Sequence, residues 1–84
     1  MSSKEEISEE FCLLCMMHNI GATLAEKSLS VQEIVEWTSM EPSTVHFHLQ
    51  KLVEVGYVKL IEREGVERYY LTPDGIRKVL SLYS

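Results

Sequence analysis

Two helix-start signals lie close together in the middle of the chain and constrain its fold more than any other feature. Ser30 and Glu33 form a candidate capping box, in which each side chain accepts a hydrogen bond from the other residue's backbone N–H. Pro42 suits the first position of a helix because its missing N–H has no partner there. Glu41 would cap that helix, where a carboxylate is favoured by the helix dipole. The sequence therefore predicts a short helix, a tight turn at residues 38–40 and a second helix.

The second helix has a regular apolar face and a defined end. Val45, Leu49 and Leu52 recur at helical spacing, and Gly56 supplies the left-handed residue that commonly closes a helix. Beyond Gly56 the chain contains two β-rich runs, YVKLIER and VERYYLT, on either side of Glu64-Gly65. This pattern predicts a hairpin with a short turn.

A further helix is predicted at each end of the chain. Thr72-Pro73 is the start signal of the last helix. At the other end, Ser3 and Glu6 are a candidate capping box for a helix from about Glu5 to Glu26. This helix has a weak point at Asn19-Ile20-Gly21, since glycine costs roughly 1 kcal/mol relative to alanine within a helix. We expect a kink or break there, and a second helix starting after it is an open alternative.

The composition is typical of one intracellular globular domain without a catalytic motif. A length of 84 residues leaves room for a single modest core, and 45% hydrophobic with 25% charged residues is typical of a folded chain. No apolar run approaches the roughly 20 residues that cross a bilayer, and the N-terminus is acidic where a signal peptide would be basic. There is one Asp, no Gly-rich phosphate loop and no nucleophile beside a base in a known motif. We therefore expect a cytoplasmic protein that is not an enzyme, needs no cofactor and makes no membrane contact.

The formal net charge of -5 is unevenly distributed along the chain. Residues 1–30 carry two Lys against five Glu, whereas residues 56–84 carry five Lys or Arg against four acidic residues. Affinity for DNA comes largely from the counterions that Lys and Arg release. A chain like this offers few phosphate contacts per subunit and would gain from pairing two subunits.

The element order helix, helix, helix, hairpin, helix is that of a winged helix-turn-helix domain, an α+β fold that is mostly α. We assign the chain to one such domain, with an N-terminal helical segment (1–27), a helix-turn-helix (28–56), a wing (57–72) and a C-terminal helix (73–84). The runs LSVQEIVEWTSMEPSTVHFHLQKLVEVGYVKL and RYYLTPDGIRKVL resemble the core of ArsR- and MarR-type winged-helix transcriptional regulators. The resemblance covers about residues 28–80.

The resemblance implies a transcriptional regulator that binds double-stranded DNA sequence-specifically, with helix 42–55 in the major groove and the wing on the backbone or in the minor groove. We expect it to act as a homodimer. Gln50 would pair with adenine and Lys51 with a phosphate. Relatives commonly have Arg, His or another polar residue where this chain has Phe47. The sequence identifies no small-molecule effector. The candidate DNA contacts are Ser43, Thr44, His46, Phe47, Gln50, Lys51, Lys59, Arg63 and Arg68.

Several of these candidates have an alternative role. Phe47 would contact thymine methyl groups, or pack against the wing or the second helix, or contact another protein. Arg63 and Arg68 would contact the backbone or minor groove, or pair with Glu62, Glu64 and Glu67 across the hairpin. His48 has a structural role or a DNA role. For the whole chain, the alternative is a winged-helix module of the transcription machinery that binds protein without contacting DNA.

The apolar run FCLLCMM in the N-terminal segment suggests two further sites. Cys12, Cys15 and His18 have the spacing of a soft metal site, but their apolar surroundings favour packing. The run is apolar on every face of its helix, so we expect one face to meet a second subunit together with the C-terminal helix. The predicted dimer contacts are Phe11, Leu14, Ile76, Leu80 and Tyr83.

Overall fold

The structure, a computed structural model, describes residues 8–83 of the chain. The candidate capping box of Ser3 and Glu6 therefore lies outside the described residues. The first described helix, α1 (Glu9–Asn19), is capped by Ser8, whose hydroxyl accepts a hydrogen bond from the N–H of Phe11 at 3.2 Å.

Helix α1 ends before the glycine that interrupts its apolar pattern. Gly21 has a φ of 88°, a left-handed conformation that glycine adopts without strain. The chain then continues to a single 3-10 turn (Ala25–Lys27). The break predicted at residues 19–21 is confirmed, and the expectation of one helix reaching Glu26 is wrong.

Helices α2 (Val31–Thr38) and α3 (Pro42–Glu54) form the helix-turn-helix. The capping box of α2 is confirmed, since the N–H of Ser30 donates to Glu33 Oε1 at 3.0 Å and the N–H of Glu33 donates to Ser30 Oγ at 3.1 Å. The chain leaves α2 through Ser39, whose φ of 62° is left-handed. A turn this short fixes how the two helices cross.

Both ends of α3 follow the sequence signals. Glu41 is the cap residue and Pro42 occupies the first turn, although no side-chain capping bond is present at this end within residues 8–83. At the other end, the N–H of Tyr57 donates to the carbonyl of Leu52 at 3.0 Å, and Gly56, with a φ of 84°, donates to Val53 at 3.0 Å. This pair of bonds is a Schellman motif, which directs the chain out of α3 and into the wing.

The wing is an antiparallel hairpin of β1 (Val58–Arg63) and β2 (Val66–Leu71). Glu64 and Gly65 form its turn with φ values of 54° and 79°. Positive φ at both central residues is characteristic of a two-residue type I′ turn, whose twist matches that of the strands. The predicted hairpin and its turn are confirmed.

The base of the wing is attached to the segment that precedes α2. Leu29 and Tyr69 exchange backbone hydrogen bonds of 2.9 and 2.8 Å, and the N–H of Leu71 donates to the carbonyl of Ala22 at 2.8 Å. The segment between α1 and α2 therefore lies along β2, and the wing is held in a fixed orientation relative to the helix-turn-helix.

Helix α4 (Pro73–Leu82) begins with the predicted Thr72 cap. The Thr72 hydroxyl accepts a hydrogen bond from the N–H of Gly75 at 3.0 Å and donates to the carbonyl of Gly56 at 2.6 Å. Gly75 lies so close to the wing that an added Cβ would be 2.0 Å from the carbonyl oxygen of Tyr57. The Thr-Pro-Asp-Gly signature thus joins the start of α4 to the start of the wing.

Helix α1 lies at the centre of the core, in contact with α2, α3, α4 and β2. This central position explains why its sequence is apolar on most faces, without requiring a second subunit. Leu14 is fully buried, so its prediction as a dimer contact is wrong. No helix within residues 8–83 is long and apolar enough to span a bilayer. The largest fully buried side chains of the core include Leu13, Leu14, Met17, Ile34, Val45, Leu49, Leu52, Leu71 and Val79.

Candidate nucleic-acid interface

The outer face of α3 presents most of the side chains predicted to contact DNA. Val45, Leu49 and Leu52 seal the inner face against the core, which turns the opposite side of the helix to solvent. Thr44 is half-buried at its edge. The exposed residues of the predicted set on this helix are Ser43, His46, Phe47, Gln50 and Lys51.

Two of the polar side chains on this face restrain each other. Gln50 Nε2 lies 3.1 Å from His46 Nε2, one helical turn away. In the geometry present, the amide of Gln50 donates and the imidazole nitrogen accepts. Besides the N–H used here, a glutamine amide has a second N–H and a carbonyl oxygen, the donor and acceptor pair that matches adenine.

Phe47 lies at the middle of the exposed face, with 56% of its surface accessible. Its ring contacts residues of its own helix. The imidazole of His48 meets it edge-on with ring centroids 5.6 Å apart, and Lys51 Nζ lies 5.4 Å from the ring centroid. The alternative in which Phe47 is tucked against the wing or α2 is wrong, because the ring remains open to solvent.

His48 joins α3 to the start of α1. Its side chain is only 13% exposed, with Nε2 3.4 Å from Glu9 Oε1 and Nδ1 3.7 Å from Glu10 Oε1. Nε2 is within hydrogen-bonding distance of Glu9, whereas Nδ1 is buried without a hydrogen-bond partner among residues 8–83. Of the two roles considered for His48, the geometry supports the structural one.

Arg68 does not lie on the open face of the wing, which corrects its prediction as a DNA contact. Its Nη2 donates to the Ser28 carbonyl at 2.6 Å and to Glu33 Oε1 at 3.1 Å, while Nε donates to Ser28 Oγ at 3.2 Å. The acceptors come from the segment before α2 and from α2 itself. The predicted pairing across the hairpin is therefore not the arrangement that Arg68 adopts, and its guanidinium instead holds the wing against the helix-turn-helix.

The remaining wing cations stay at the surface. Arg63, at the end of β1, is exposed and donates through Nη2 to the carbonyl of Ala25 at 3.2 Å. Lys59 is exposed on the same strand. Arg63 keeps further N–H donors, because a guanidinium has five of them. Both side chains are open to solvent.

An open groove separates the wing tip from the starts of α2 and α3. The groove is lined by Ser30, Val31, Gln32, Val35, Pro42, Gly65, Val66 and Glu67. Since Pro42 is the α3 residue among them, the wing tip lies beside the first turn of α3.

Tyr69, in β2, donates its O–H to Glu67 Oε1 at 3.4 Å. Burial, reinforced by the Glu67 carboxylate, raises the pKa of Tyr69 above its ordinary value.

The other predicted dimer contacts divide between the core and the surface. Phe11 and Ile76 are half-buried and pack against the core, and the Phe11 ring lies 6.2 Å from that of Tyr57. Leu80 and Tyr83, at the end of α4, are 53% and 60% exposed. Of the predicted dimer contacts, Leu80 and Tyr83 are the two that are exposed and could be covered by a second subunit.

The candidate metal ligands do not form a common site. Cys12 is exposed, Cys15 is buried in the core and His18 is half-buried. Within residues 8–83 there is no group of three or more His, Cys, Asp or Glu side chains arranged to hold a metal ion. The apolar packing of Cys15 agrees with the packing interpretation of this run.

Sequence reasoning missed two features of the interface. The first is the Arg68–Glu33 ion pair, and the second is the bridge between Leu29 and Tyr69. Both join residues far apart in sequence, so no local pattern marks them. The pairing of Gln50 with His46 had a local signal, since residues four apart are neighbours on a helix.

Comparison with known proteins agrees with this architecture. Residues 22–59, which include the helix-turn-helix, match the bacterial regulatory protein family arsR. The TubR fragment from Clostridium botulinum, solved in solution and described as DNA-binding, has a TM-score of 0.78 and 28% identity over 92% of this chain and 98% of that one. A MarR family protein from Bacillus stearothermophilus has the same fold, with a TM-score of 0.74 at 22% identity over 92% of this chain and 51% of its own.

A curated relative identifies the family. The DNA-binding protein TubR of Clostridium botulinum C phage is 30% identical over 74 residues, which span 87% of this chain and 91% of the relative. TubR from Bacillus megaterium shares the fold, with a TM-score of 0.79 at 16% identity over 93% of this chain and 88% of its own. The chain therefore belongs to the TubR family of winged helix-turn-helix proteins.

Proposed function

We propose that this chain is a transcriptional regulator that binds double-stranded DNA sequence-specifically as a homodimer. Helix α3 enters the major groove, and the wing lies along the backbone or in the minor groove. The observation that carries the proposal is the division of α3 into a face sealed in the core and an exposed face rich in hydrogen-bonding side chains. The relationship to TubR, a protein named for DNA binding, supports the same function.

The charges on α3 support a contact made with the exposed face between the two ends of the helix. The two acids of this helix region, Glu41 and Glu54, lie at its ends. Between them the exposed face carries Gln50 and Lys51, and the end of β1 carries Arg63. A duplex that meets this surface encounters donors for phosphates and base edges along α3, while the exposed wing acids Glu62, Glu64 and Glu67 oppose the contact made by Arg63.

The homodimer rests on the exposed apolar end of α4 and on the small number of cations. Leu80 and Tyr83 would be buried between two copies related by a twofold axis. Such a dimer would place its α3 helices roughly 34 Å apart, about one turn of DNA, and would double the phosphate contacts. Light scattering with and without the bound duplex measures the number of subunits per site. One subunit on a complete site would refute the dimer.

Selection from a random duplex library at two salt concentrations tests DNA binding directly. We expect one enriched sequence, against which Gln50→Ala loses about 1–3 kcal/mol of binding free energy. Arg63→Ala should weaken binding to all sequences similarly and reduce the salt slope by about one. Arg77→Ala is the matched control, because this arginine pairs with Asp74 on α4. Its binding should equal that of the parent.

Two results would reject the proposal. If Gln50→Ala and Arg63→Ala bind selected and random duplexes as the parent does, the assigned surface is wrong. If no sequence is enriched and binding is absent even at low salt, the chain is a protein-docking module. The exposed ring of Phe47 would then be the natural centre of the docking surface.

A further inference from the structure

We propose that Phe47 determines sequence specificity by contacting the C5-methyl group of a thymine in the major groove. This inference rests on the DNA-binding function proposed above and assigns it a chemical preference. It applies to a residue that has no hydrogen-bonding group and lies at the middle of the exposed face of α3, with 56% of its surface accessible. The binding site would accordingly contain an A·T pair opposite Phe47.

The chemistry of the major groove supplies the reason. Base edges there display hydrogen-bond donors and acceptors, and the thymine methyl group is the apolar feature among the four standard bases. A phenyl ring pressed against a donor or acceptor would remove water from it and offer no replacement. The ring should therefore raise affinity where it meets a thymine and lower affinity where it meets any other base.

The surroundings of Phe47 favour DNA over a protein partner. Ser43 lies one helical turn before the ring and Lys51 one turn after it, so the ring is flanked along the helix by polar groups. The next exposed large apolar residue of this helix region is Val55, the C-cap, eight residues and about 12 Å further along the axis. A protein-docking helix would instead repeat its apolar anchors every three or four residues.

Two neighbours on the same helix lie against the ring. His48, whose own side chain is mostly buried, contacts it edge-on at 5.6 Å between centroids. Lys51 Nζ lies 5.4 Å from the ring centroid. A restrained aromatic side chain loses little conformational freedom on binding, which favours its use as a recognition contact.

Gln50 lies three residues after Phe47 and therefore close to it on the same face of the helix. Its amide is restrained by His46 at 3.1 Å and matches the N6 and N7 edge of adenine. Thymine contact by Phe47 and adenine contact by Gln50 would act on the same or adjacent base pairs. Both contacts predict an A·T-rich centre in each half-site.

Exchange of thymine for deoxyuridine isolates the methyl group, because the two bases have the same hydrogen-bonding edges. The probe is the duplex enriched from the random library, with each thymine replaced singly by deoxyuridine. For the parent protein we expect a loss of affinity of about three- to fivefold at one position per half-site, the effect of one methyl group. Phe47→Ala should bind the thymine and deoxyuridine duplexes equally, and Phe47→Leu should recover part of the difference.

The possible outcomes separate the inference from the function on which it rests. If the parent binds no duplex, the proposed function and the inference both fall. If the parent binds but no single deoxyuridine weakens it, Phe47 does not contact a thymine methyl group. If Phe47→Ala keeps the same deoxyuridine penalty as the parent, another residue makes that contact and the inference is wrong. Circular dichroism of both variants should match the parent, since the ring is exposed.

Discussion

Replacement of Gly75 by alanine should be among the most damaging single changes in this protein. The added Cβ would lie 2.0 Å from the carbonyl oxygen and 2.9 Å from the carbonyl carbon of Tyr57, and real Cβ atoms essentially never approach within 3.0 Å. The start of α4 and the start of the wing must therefore separate by about 1 Å. The Cβ is held rigidly by the backbone of residue 75 and the atoms it meets are backbone atoms of Tyr57, so a rotamer change cannot relieve the contact.

The cost follows from the bonds that hold this junction. The Tyr57 carbonyl accepts a hydrogen bond from the Thr72 N–H at 3.0 Å, and the Thr72 hydroxyl donates to the Gly56 carbonyl at 2.6 Å. Overpacking costs roughly 1–3 kcal/mol, and weakening one backbone hydrogen bond adds about 1 kcal/mol. We expect the free energy of unfolding to fall by about 2–4 kcal/mol. For a domain of this size, that lowers Tm by roughly 10–30 °C.

Chemical denaturation followed by circular dichroism measures this change at a fixed protein concentration, which matters if the chain dimerises. Gly65→Ala is the matched control, because Gly65 has a φ of 79° but nothing lies within 4 Å of its added Cβ. Its cost should be about 1 kcal/mol, the strain of a left-handed alanine. If the two variants lose equal stability, the close approach of Gly75 to Tyr57 does not govern this junction.

Two further predictions concern the wing. Arg68→Ala should lower the free energy of unfolding by about 2 kcal/mol, since Ser28 and Glu33 lose their donor, while the folded variant keeps its DNA affinity. If this variant had normal stability but weakened DNA binding, Arg68 would be a DNA contact and not a structural residue. Because the pKa of Tyr69 is raised above 10.0, the folded protein should keep this proton at a pH where the unfolded chain releases it. Stability should therefore fall as pH rises beyond about 10, and Tyr69→Phe should reduce this fall in denaturation experiments. An unchanged pH dependence in Tyr69→Phe would show that Tyr69 does not cause this fall in stability.

Features governed by local backbone chemistry could be predicted from the sequence. The capping box of Ser30 and Glu33 depends on residues three apart, and the left-handed Gly56 and Gly65 depend on a single φ angle. Because each of these signals depends only on neighbouring residues, the order of helices and strands could be predicted from them. The resemblance to winged-helix regulators then supplied the fold, and the relationship to TubR confirms it.

Partners distant in sequence could not be predicted, because packing alone brings them together. The Glu33 carboxylate shows the difference, since it accepts the predicted bond from Ser30 and also the unpredicted one from Arg68. The prediction of Leu14 as a dimer contact was wrong for a related reason. A helix that is apolar on every face can lie at a subunit interface or at the centre of one domain, and the sequence pattern is the same in both cases.

The placement of Arg68 changes what the charges imply about recognition. Within residues 8–83, α3 and the wing together carry four cations. One of them, Arg68, is hydrogen-bonded to Ser28 within the fold. Lys51, Lys59 and Arg63 remain, so phosphate contacts would give a salt slope of about -3 per subunit at roughly 0.9 for each contact. Non-specific affinity depends on those contacts, whereas discrimination depends on base edges. On the proposed function, a chain with so few cations would take most of its affinity for a specific site from base contacts such as those of Gln50 and Phe47, and it should bind random DNA weakly at physiological salt.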